Sequence, residues 1–402
     1  MAKRAVTITD VALAARVSVA SVSRVMNGHA NVLPETRQRI TAVIEKLRYV
    51  PHTAARSLIT RRTQSIGVLL PDLYGGFFSE LIRGIDAAAR ELKLQLLLSS
   101  SHGDAAEMVA AIRAMHGRVE GLLVLAPQLD AAELGELQAD VPTVFMNSRV
   151  TRSTRRGAAR RAAPALVIDS YGGARAMMRH LIGRGHRTIA HVSGPANNFD
   201  AHERERGYRD ELAAALPRAR PVVVRGDFTE TSGYAAGREL GAGPGRPAAV
   251  FAANDVMAIG CLAAFDSLGL AVPRDIAVAG FDDIPLAAYV RPALTTMRVP
   301  IVELGRGAVT QLAAAIAAPE AVRAITTQLA PELVVRESCG AARTRRQSTN
   351  HLQRKRQSVR DGDHDAAQHS HHDPRIRGAR RPTVPSPHPP GNRRARGRTF
   401  RG

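Results

Sequence analysis

The chain has 402 residues and a formal net charge of +20, a length for two or three domains and a charge that calls for an anionic partner. Its two cysteines, Cys261 and Cys339, exclude a disulfide framework and suit a reducing cytoplasm. No apolar run approaches the roughly 18 residues a membrane span needs, and the N-terminus lacks a signal-peptide core, so the expectation is a cytoplasmic protein with no membrane partner.

The charge is unevenly spread. Residues 1–63 hold 11 Lys+Arg against 3 Asp+Glu, and residues 341–402 hold 16 against 4, which leaves 29 against 29 for residues 64–340. A neutral body behind a basic head fits a nucleic-acid reader joined to a sensor or assembly domain.

In the head, Thr7 and Asp10 have the spacing of a capping box, and Ile8, Val11, Ala12 and Ala15 form an apolar stripe at helical spacing. Arg16-Val17 reads as a turn, with Ser18 capping a second helix whose Val22, Val25 and Met26 face inward. That leaves Val19, Ala20, Ser21, Ser23, Arg24 and Asn27 outside. Small side chains there let a helix approach base edges: Val19 and Ala20 can touch thymine methyls, and Arg24 can donate to guanine. A third helix starts at Pro34 and buries Ile40, Val43, Ile44 and Leu47. Pro51 ends it, and a short basic segment through Leu58 follows. A leucine pushed into a base step from the minor groove would kink the duplex.

The run Thr7–Asn27, Tyr49-Val50-Pro51, Ala55-Arg56-Ser57-Leu58 and Ser65-Ile66-Gly67-Val68 resembles the LacI/GalR family of bacterial transcription regulators. The resemblance spans about residues 5–340. It implies a helix-turn-helix reading the major groove and a hinge leucine, here Leu58, wedged into the centre of a palindromic operator. The expected DNA-binding residues are Thr7, Ser18, Val19, Ala20, Ser21, Ser23, Arg24 and Asn27, with His52, Ala55 and Leu58 in the hinge. Leu33 departs from the family, which usually carries a Ser or Thr cap there; its loss should cost on the order of 1 kcal/mol in the third helix.

From residue 65, short apolar runs alternate with amphipathic stretches. The runs are Ile66–Leu70, Leu94–Leu98, Gly121–Leu125, Thr143–Met146, Ala165–Ile168, Thr188–Val192, Val222–Val224, Ala248–Ala252 and Ile276–Gly280. Helix-like segments include Phe78–Leu92, Ala105–Met115, Gly172–Leu181, Arg204–Ala215 and Asp255–Leu268. Buried strands alternating with helices indicate parallel α/β sheets, and nine strands in about 220 residues indicate two doubly wound lobes. Ligands of such sheets sit beyond the carboxyl ends of the strands.

The strand ends offer Asp72, Phe77, Phe78, Asn147, Asp200, Arg204, Phe228, Asn254, Asp255 and Asp282: aromatic faces for an apolar ligand face, and carboxylate, amide and guanidinium groups for hydroxyls. The body is also similar to a periplasmic sugar-binding protein, and the family resemblance implies roles for several of these residues. Arg204 and Asp282 match the main effector contacts, Asn254 a polar contact and Phe228 the stacking aromatic. Phe77 and Phe78 match the wall of the N-lobe, and Asn147 stands where many members carry Asp. Helix capping is the competing reading for Asn254 and Asp255.

The sequence offers no catalytic constellation. Gly183-Arg-Gly-His186 is too short and basic for a dinucleotide fingerprint, His180, His186 and His191 lack metal-ligand spacing, and Cys261 has no Cys-x-x-Cys partner. No enzyme activity, cofactor or metal is expected.

Two stretches are irregular. Residues 148–163 carry six arginines and no acid, as a mobile basic loop would. Residues 341–402 are rich in Arg, His, Pro and Gly, show no leucine heptad and should be disordered. They read as an extension past a natural end near Gly340, as a shifted reading frame would give, with a nonspecific DNA-binding tail or metal binding by their six histidines as alternatives.

The expected organisation is a three-helix helix-turn-helix domain at 1–50, a hinge at 51–63, a two-lobed periplasmic-binding-protein-like α/β domain at 64–340 and a basic tail at 341–402. The N-lobe is expected at about 64–164 and 295–322, the C-lobe at about 165–294 and 323–340. The expected function is a homodimeric regulator, a repressor, that binds double-stranded operator DNA and answers a small-molecule effector such as a sugar or sugar acid. Phe78–Leu92 and Asp255–Leu268 are the candidate dimer faces. A co-repressor-dependent regulator answering a purine or nucleoside is the alternative, and a solute-binding or enzymatic sensor fused to a DNA-binding head is an alternative of another class.

Overall fold

The computed structural model describes residues 6–26, 28, 31–49, 63–127, 141–148, 163–321 and 325–340. Asn27, the hinge residues His52, Ala55 and Leu58, the basic loop after Ser148 and the tail from 341 lie outside the described residues.

The head is built from α1 (Ile8–Ala15), α2 (Val19–Met26) and α3 (Pro34–Leu47). Thr7 and Asp10 close the capping box: the Thr7 N–H and hydroxyl donate to Asp10 Oδ2 at 2.8 and 2.7 Å, and the Asp10 N–H donates to Thr7 Oγ1 at 3.3 Å. Ser18 Oγ accepts the Ser21 N–H at 3.1 Å and so caps α2. Arg16 turns the chain between the helices in the left-handed region, at φ 53°. Val11, Ala12, Ala15, Val22 and Ile40 form the buried core that the sequence pattern anticipates. Leu33, 75% exposed, precedes α3 with extended ψ and no side-chain cap. Leu33→Ser should therefore stabilise the head by about 1 kcal/mol, read as an upward shift of its unfolding transition in chemical denaturation; an unchanged midpoint would count against an uncapped α3.

In the body, β1 (Ser65–Leu70), α4 (Gly76–Glu91), β2 (Gln95–Ser100), α5 (Ala105–Met115), β3 (Leu122–Leu125), β4 (Thr143–Met146) and β5 (Ala165–Ile168) come first. Then follow α6 (Ser170–Gly183), β6 (Ile189–Ser193), α7 (Phe199–Ala215), β7 (Val222–Arg225), α8 (Glu230–Ala242), β8 (Ala249–Ala252), α9 (Asp255–Ser267) and β9 (Ala277–Ala279). The chain finishes with β10 (Thr296–Arg298), α10 (Ile301–Ala317), β11 (Thr326–Leu329) and β12 (Glu332–Val334). All nine runs read as strands are strands, with ends shifted by a residue or two. The N-lobe sheet has the order β11-β5-β4-β3-β1-β2 and the C-lobe sheet β7-β6-β8-β9, with every pairing parallel. A short antiparallel pair, β10 with β12, lies apart from both sheets.

The lobe boundaries differ from the expectation. Ala165–Ile168 and Thr326–Leu329, expected in the C-lobe, both belong to the N-lobe sheet. The Phe145 and Asn147 N–H groups donate to the carbonyls of Pro164 and Leu166, so β5 extends β4 before the chain leaves the lobe. The crossings fall after each of these strands, at about residues 169 and 330, and a third falls near Val299. A buried apolar run reports burial on both faces but not which sheet supplies the partner.

Helices α8 and α9 pack with backbone against backbone. A Cβ at Gly233 would stand 2.3 Å from the Met257 carbonyl oxygen, and one at Gly260 would stand 2.3 Å from that of Glu230. Across the lobes, the Phe199 N–H donates to the Pro127 carbonyl at 2.9 Å, and Gly76 packs on Ile284. Among the described residues no helix is long and apolar enough to cross a membrane.

Candidate functional site

The two sheets present their carboxyl ends to each other, and a cavity of about 360 Å³ lies between them. That is within the range of small-molecule sites, roughly 300–1,000 Å³. Asp72, Phe77, Phe78, Asn147, Asp200, Arg204, Phe228, Asn254 and Asp282 all line it. Asp227, beside Phe228 at the same strand end, lines it too; sequence reasoning missed His102 and Glu230, which also line it.

Arg204, on α7 and 4% exposed, organises the floor. Its Nη1 donates to the Ala253 carbonyl at 2.6 Å and its Nε to Ser170 Oγ at 3.3 Å. The guanidinium lies 3.9 Å over the Phe281 ring, and Nη2 stands 3.4 Å from Asp282 Oδ1. That last contact is an ion pair without hydrogen-bond alignment, so the buried Oδ1 of Asp282 has no hydrogen-bond partner. Burial pushes the Asp282 carboxyl up to about 7 against the pull of Arg204. Its backbone stands at φ 114°, in a region L side chains rarely adopt. An unsatisfied buried acceptor on a strained backbone, opening on a cavity, suits a ligand hydroxyl.

Other lining residues serve the fold as well. Asn254 caps α9 by accepting the Met257 N–H at 2.9 Å, and its Nδ2 donates to the Phe228 carbonyl at 3.1 Å. Capping is thus present, and the same amide holds Phe228 at φ 71° beside the cavity. Asn147, at φ 44°, accepts the Ile168 N–H at 2.9 Å. Asp72 accepts the N–H groups of Leu73 and Tyr74, and Asp200 accepts the Ser170 hydroxyl at 2.9 Å. Phe77 and Phe78 meet edge to face, with centroids 5.5 Å apart. Asp255 is fully buried and outside the cavity lining; it accepts the Ile284 N–H and the Thr296 hydroxyl, and burial beside Asp282 raises its carboxyl well above the ordinary range.

The residue after Asp282 ties the crossings. Asp283 Oδ2 accepts from Arg298 Nε at 2.8 Å and Oδ1 from Arg336 Nη2 at 2.6 Å. Arg298 ends β10, and Arg336 follows β12 by two residues.

On the head, Val19, Ala20 and Arg24 are exposed on α2, and Ser21 and Ser23 are half-buried. The Thr7 hydroxyl is engaged within its own capping box. The histidines do not converge: His180 and His186 face Cys339, whereas His191 is buried between Tyr208 and Phe251.

Residues 7–52 match bacterial regulatory proteins of the lacI family, and residues 178–339 match the periplasmic binding protein-like domain. The ribose operon repressor of Escherichia coli (strain K12) is 36% identical over 340 residues, covering 83% of this chain and 99% of that protein. The chain belongs to the LacI family. Catabolite control protein A of Priestia megaterium is 35% identical over 304 residues, 75% of this chain and 89% of that relative. A structure of the lac repressor dimer bound to operator and the anti-inducer ONPF superposes with a TM-score of 0.74 at 28% identity, covering 84% of this chain and all of that one. This LacI-family member is a DNA-binding repressor governed by a small-molecule effector.

Proposed function

We propose that this repressor grips a pseudo-palindromic operator as a homodimer in the cytoplasm, and that a sugar-like effector seated between the lobes controls the grip. The observation that carries the effector site is the buried Oδ1 of Asp282, ion-paired with Arg204 but without a hydrogen bond, in a cavity fed by the carboxyl ends of both sheets. Phe228 and the Phe77–Phe78 pair supply the apolar faces that a sugar ring packs against. The ligand is bound and released unchanged; product analysis after incubation checks this.

On the head, Val19 and Ala20 set operator choice through methyl contacts, while Ser18, Ser21, Ser23, Arg24, Asn27 and Thr7 dock the helix pair. His52, Ala55 and Leu58 complete the grip in the minor groove. Leu58→Ala should weaken specific operator binding by about 2 kcal/mol, near thirtyfold, and leave nonspecific binding almost untouched; equal loss of both in a filter-binding assay removes the wedge. Two heads read half-sites about one helical turn apart. The body supplies the dimer face through α4 and through edge strand β2, where Leu97 and Leu98 stay exposed. Most of α9 is buried against α8, which leaves it less surface to give.

The coupling runs through the turn after β9. A hydroxyl bound to Asp282 loads a strained residue whose neighbour, Asp283, holds Arg298 and Arg336 at the interlobe crossings. A shift of that turn changes the lobe angle and hence the spacing of the two heads, worth about 1–3 kcal/mol in operator affinity. A gel shift of the full chain with and without a panel of sugars tests the proposal. Operator release on ligand addition marks an inducible repressor, and a ligand requirement for binding marks the co-repressor form. Indifference to every ligand that raises the body's unfolding temperature would sink the coupling.

A further inference from the structure

The cavity between the lobes carries a lopsided charge. Among the described residues five carboxylates line it, Asp200 and Asp282 buried and Asp72, Asp227 and Glu230 exposed, against one guanidinium, Arg204. A binding site for an anion needs a cation, or a set of unengaged N–H groups, to offset desolvation of the ligand. Arg204 cannot serve freely. It is almost wholly buried, its N–H groups already reach Ala253, Ser170 and Asp282, and its flat face rests on Phe281. An incoming carboxylate or phosphate must therefore displace Asp282 or protonate it.

The three C-lobe helix termini on the cavity are similarly occupied. Asn198 Oδ1 caps α7 through the Ala201 N–H at 3.0 Å, Thr229 Oγ1 caps α8 through the Ser232 N–H at 3.1 Å, and Asn254 caps α9. Each of these first turns also carries an acid of its own: Asp200, Glu230 and Asp255. The favourable field that a helix N-terminus offers an anion is already taken by the protein. Asp227 adds a firm negative charge at the C-lobe wall. Burial pushes its carboxyl up, but hydrogen bonds from Ser232 and Thr229 outweigh that and hold it below the ordinary range. His102, the remaining titratable lining residue besides Tyr74, is exposed. The exception is the α4 N-terminus at Gly75, which has neither a side-chain cap nor an acid in its first turn; its N–H groups can donate to a hydroxyl oxygen or an anion, and an anion there still meets the carboxylates of the other walls.

We infer that the cavity takes an uncharged polyhydroxylated ligand, whose hydroxyls donate to the lining carboxylates, and that it rejects the corresponding sugar acids and sugar phosphates. The inference rests on the reading of this cavity as the effector site and narrows it by charge.

The test is a thermal-shift and calorimetric titration of the full chain at pH 8. The probes are neutral aldoses and alditols (ribose, glucose, galactose, arabinose and their alditols), with the matching aldonates and terminal phosphate esters. The expected result is binding by at least one neutral member, with its aldonate and phosphate ester weaker by at least about tenfold. The double variant Asp227→Asn, Glu230→Gln should narrow that gap, which a merely steric exclusion would leave in place. An aldonate or phosphate ester that binds as tightly as its neutral parent overturns the charge preference and leaves the effector site standing. Binding by no member in any charge state overturns the site reading together with the inference.

Discussion

Arg204→Met should abolish the effector response and destabilise the body by about 3–5 kcal/mol at pH 8, while operator affinity without ligand changes little. A substitution in a pre-formed ligand site usually costs affinity and leaves the fold alone, or stabilises it. Here the guanidinium is also, among the described residues, the sole Lys or Arg cation lining the cavity beside a buried acidic cluster. Removing it leaves Asp282 with no counter-ion and takes the donor from the Ala253 carbonyl. It also removes the charge that draws the Asp200 carboxyl down against its burial.

The loss should depend on pH with a definite sign. Below about pH 6 the Asp282 carboxyl is already largely protonated, since burial has pushed it up to about 7. The orphaned charge then disappears, and most of the electrostatic part of the penalty goes with it. Urea unfolding of parent and variant at pH 8 and pH 5.5 measures both quantities. A penalty of the same size at both values would mean that lost packing on Phe281 dominates, and a normal effector dose response in an operator gel shift would remove Arg204 from the site.

The strand runs of the body were readable because parallel strands inside a sheet are covered on both faces and must be continuously apolar, a pattern that the edge strands β2 and β7 share although they are partly exposed. That same regularity located the cavity: ligand-facing residues follow strand ends, and nine of the ten positions named there line one space, with Asp255 buried outside it. Glycines inside α8 and α10 weaken their helical pattern and have a packing reason. Gly233 in α8 meets the backbone of α9, and Gly305 in α10 meets that of α4, with the Leu81 carbonyl oxygen 2.6 Å from where a Cβ would stand. Residues that weaken helical propensity were retained for close helix approach, so local pattern and tertiary demand pointed in opposite directions. Lobe membership of β5 and β11 was equally hidden, because a hydrogen-bonding edge leaves no side-chain signature. The double duty of Asn254, capping α9 and holding Phe228, could not be read either: the cap is a local spacing, but the second bond joins residues 26 apart in the chain.

Asp282→Asn should lose the effector response and yet stabilise the unliganded body by about 2–4 kcal/mol at pH 8. The carboxyl stands at an ordinary 3.8 in the unfolded chain and at about 7 in the fold. Between those values the native state holds a proton that the unfolded state has released. The stability associated with this group is therefore fully present below pH 3.8 and is lost as pH rises through 7. An amide cannot ionise, so the variant escapes the loss: its advantage over the parent should be largest above pH 7 and vanish near pH 4. Asp200 and Asp255 are raised by burial in the same way, so the informative quantity is the difference between variant and parent at each pH. Asp255 reinforces the sign, because the charge on Asp282 is one of the causes that raise it. Unfolding curves from pH 4 to 8 read the effect, and a variant less stable than the parent at pH 8 would show that Arg204 needs the charge more than the fold resents it. The stabilisation, if found with a lost response, identifies Asp282 as a residue kept ionisable, buried and strained for the sake of a ligand: its left-handed backbone and an oxygen without a hydrogen bond are sustained by the surrounding fold until a hydroxyl arrives to satisfy them.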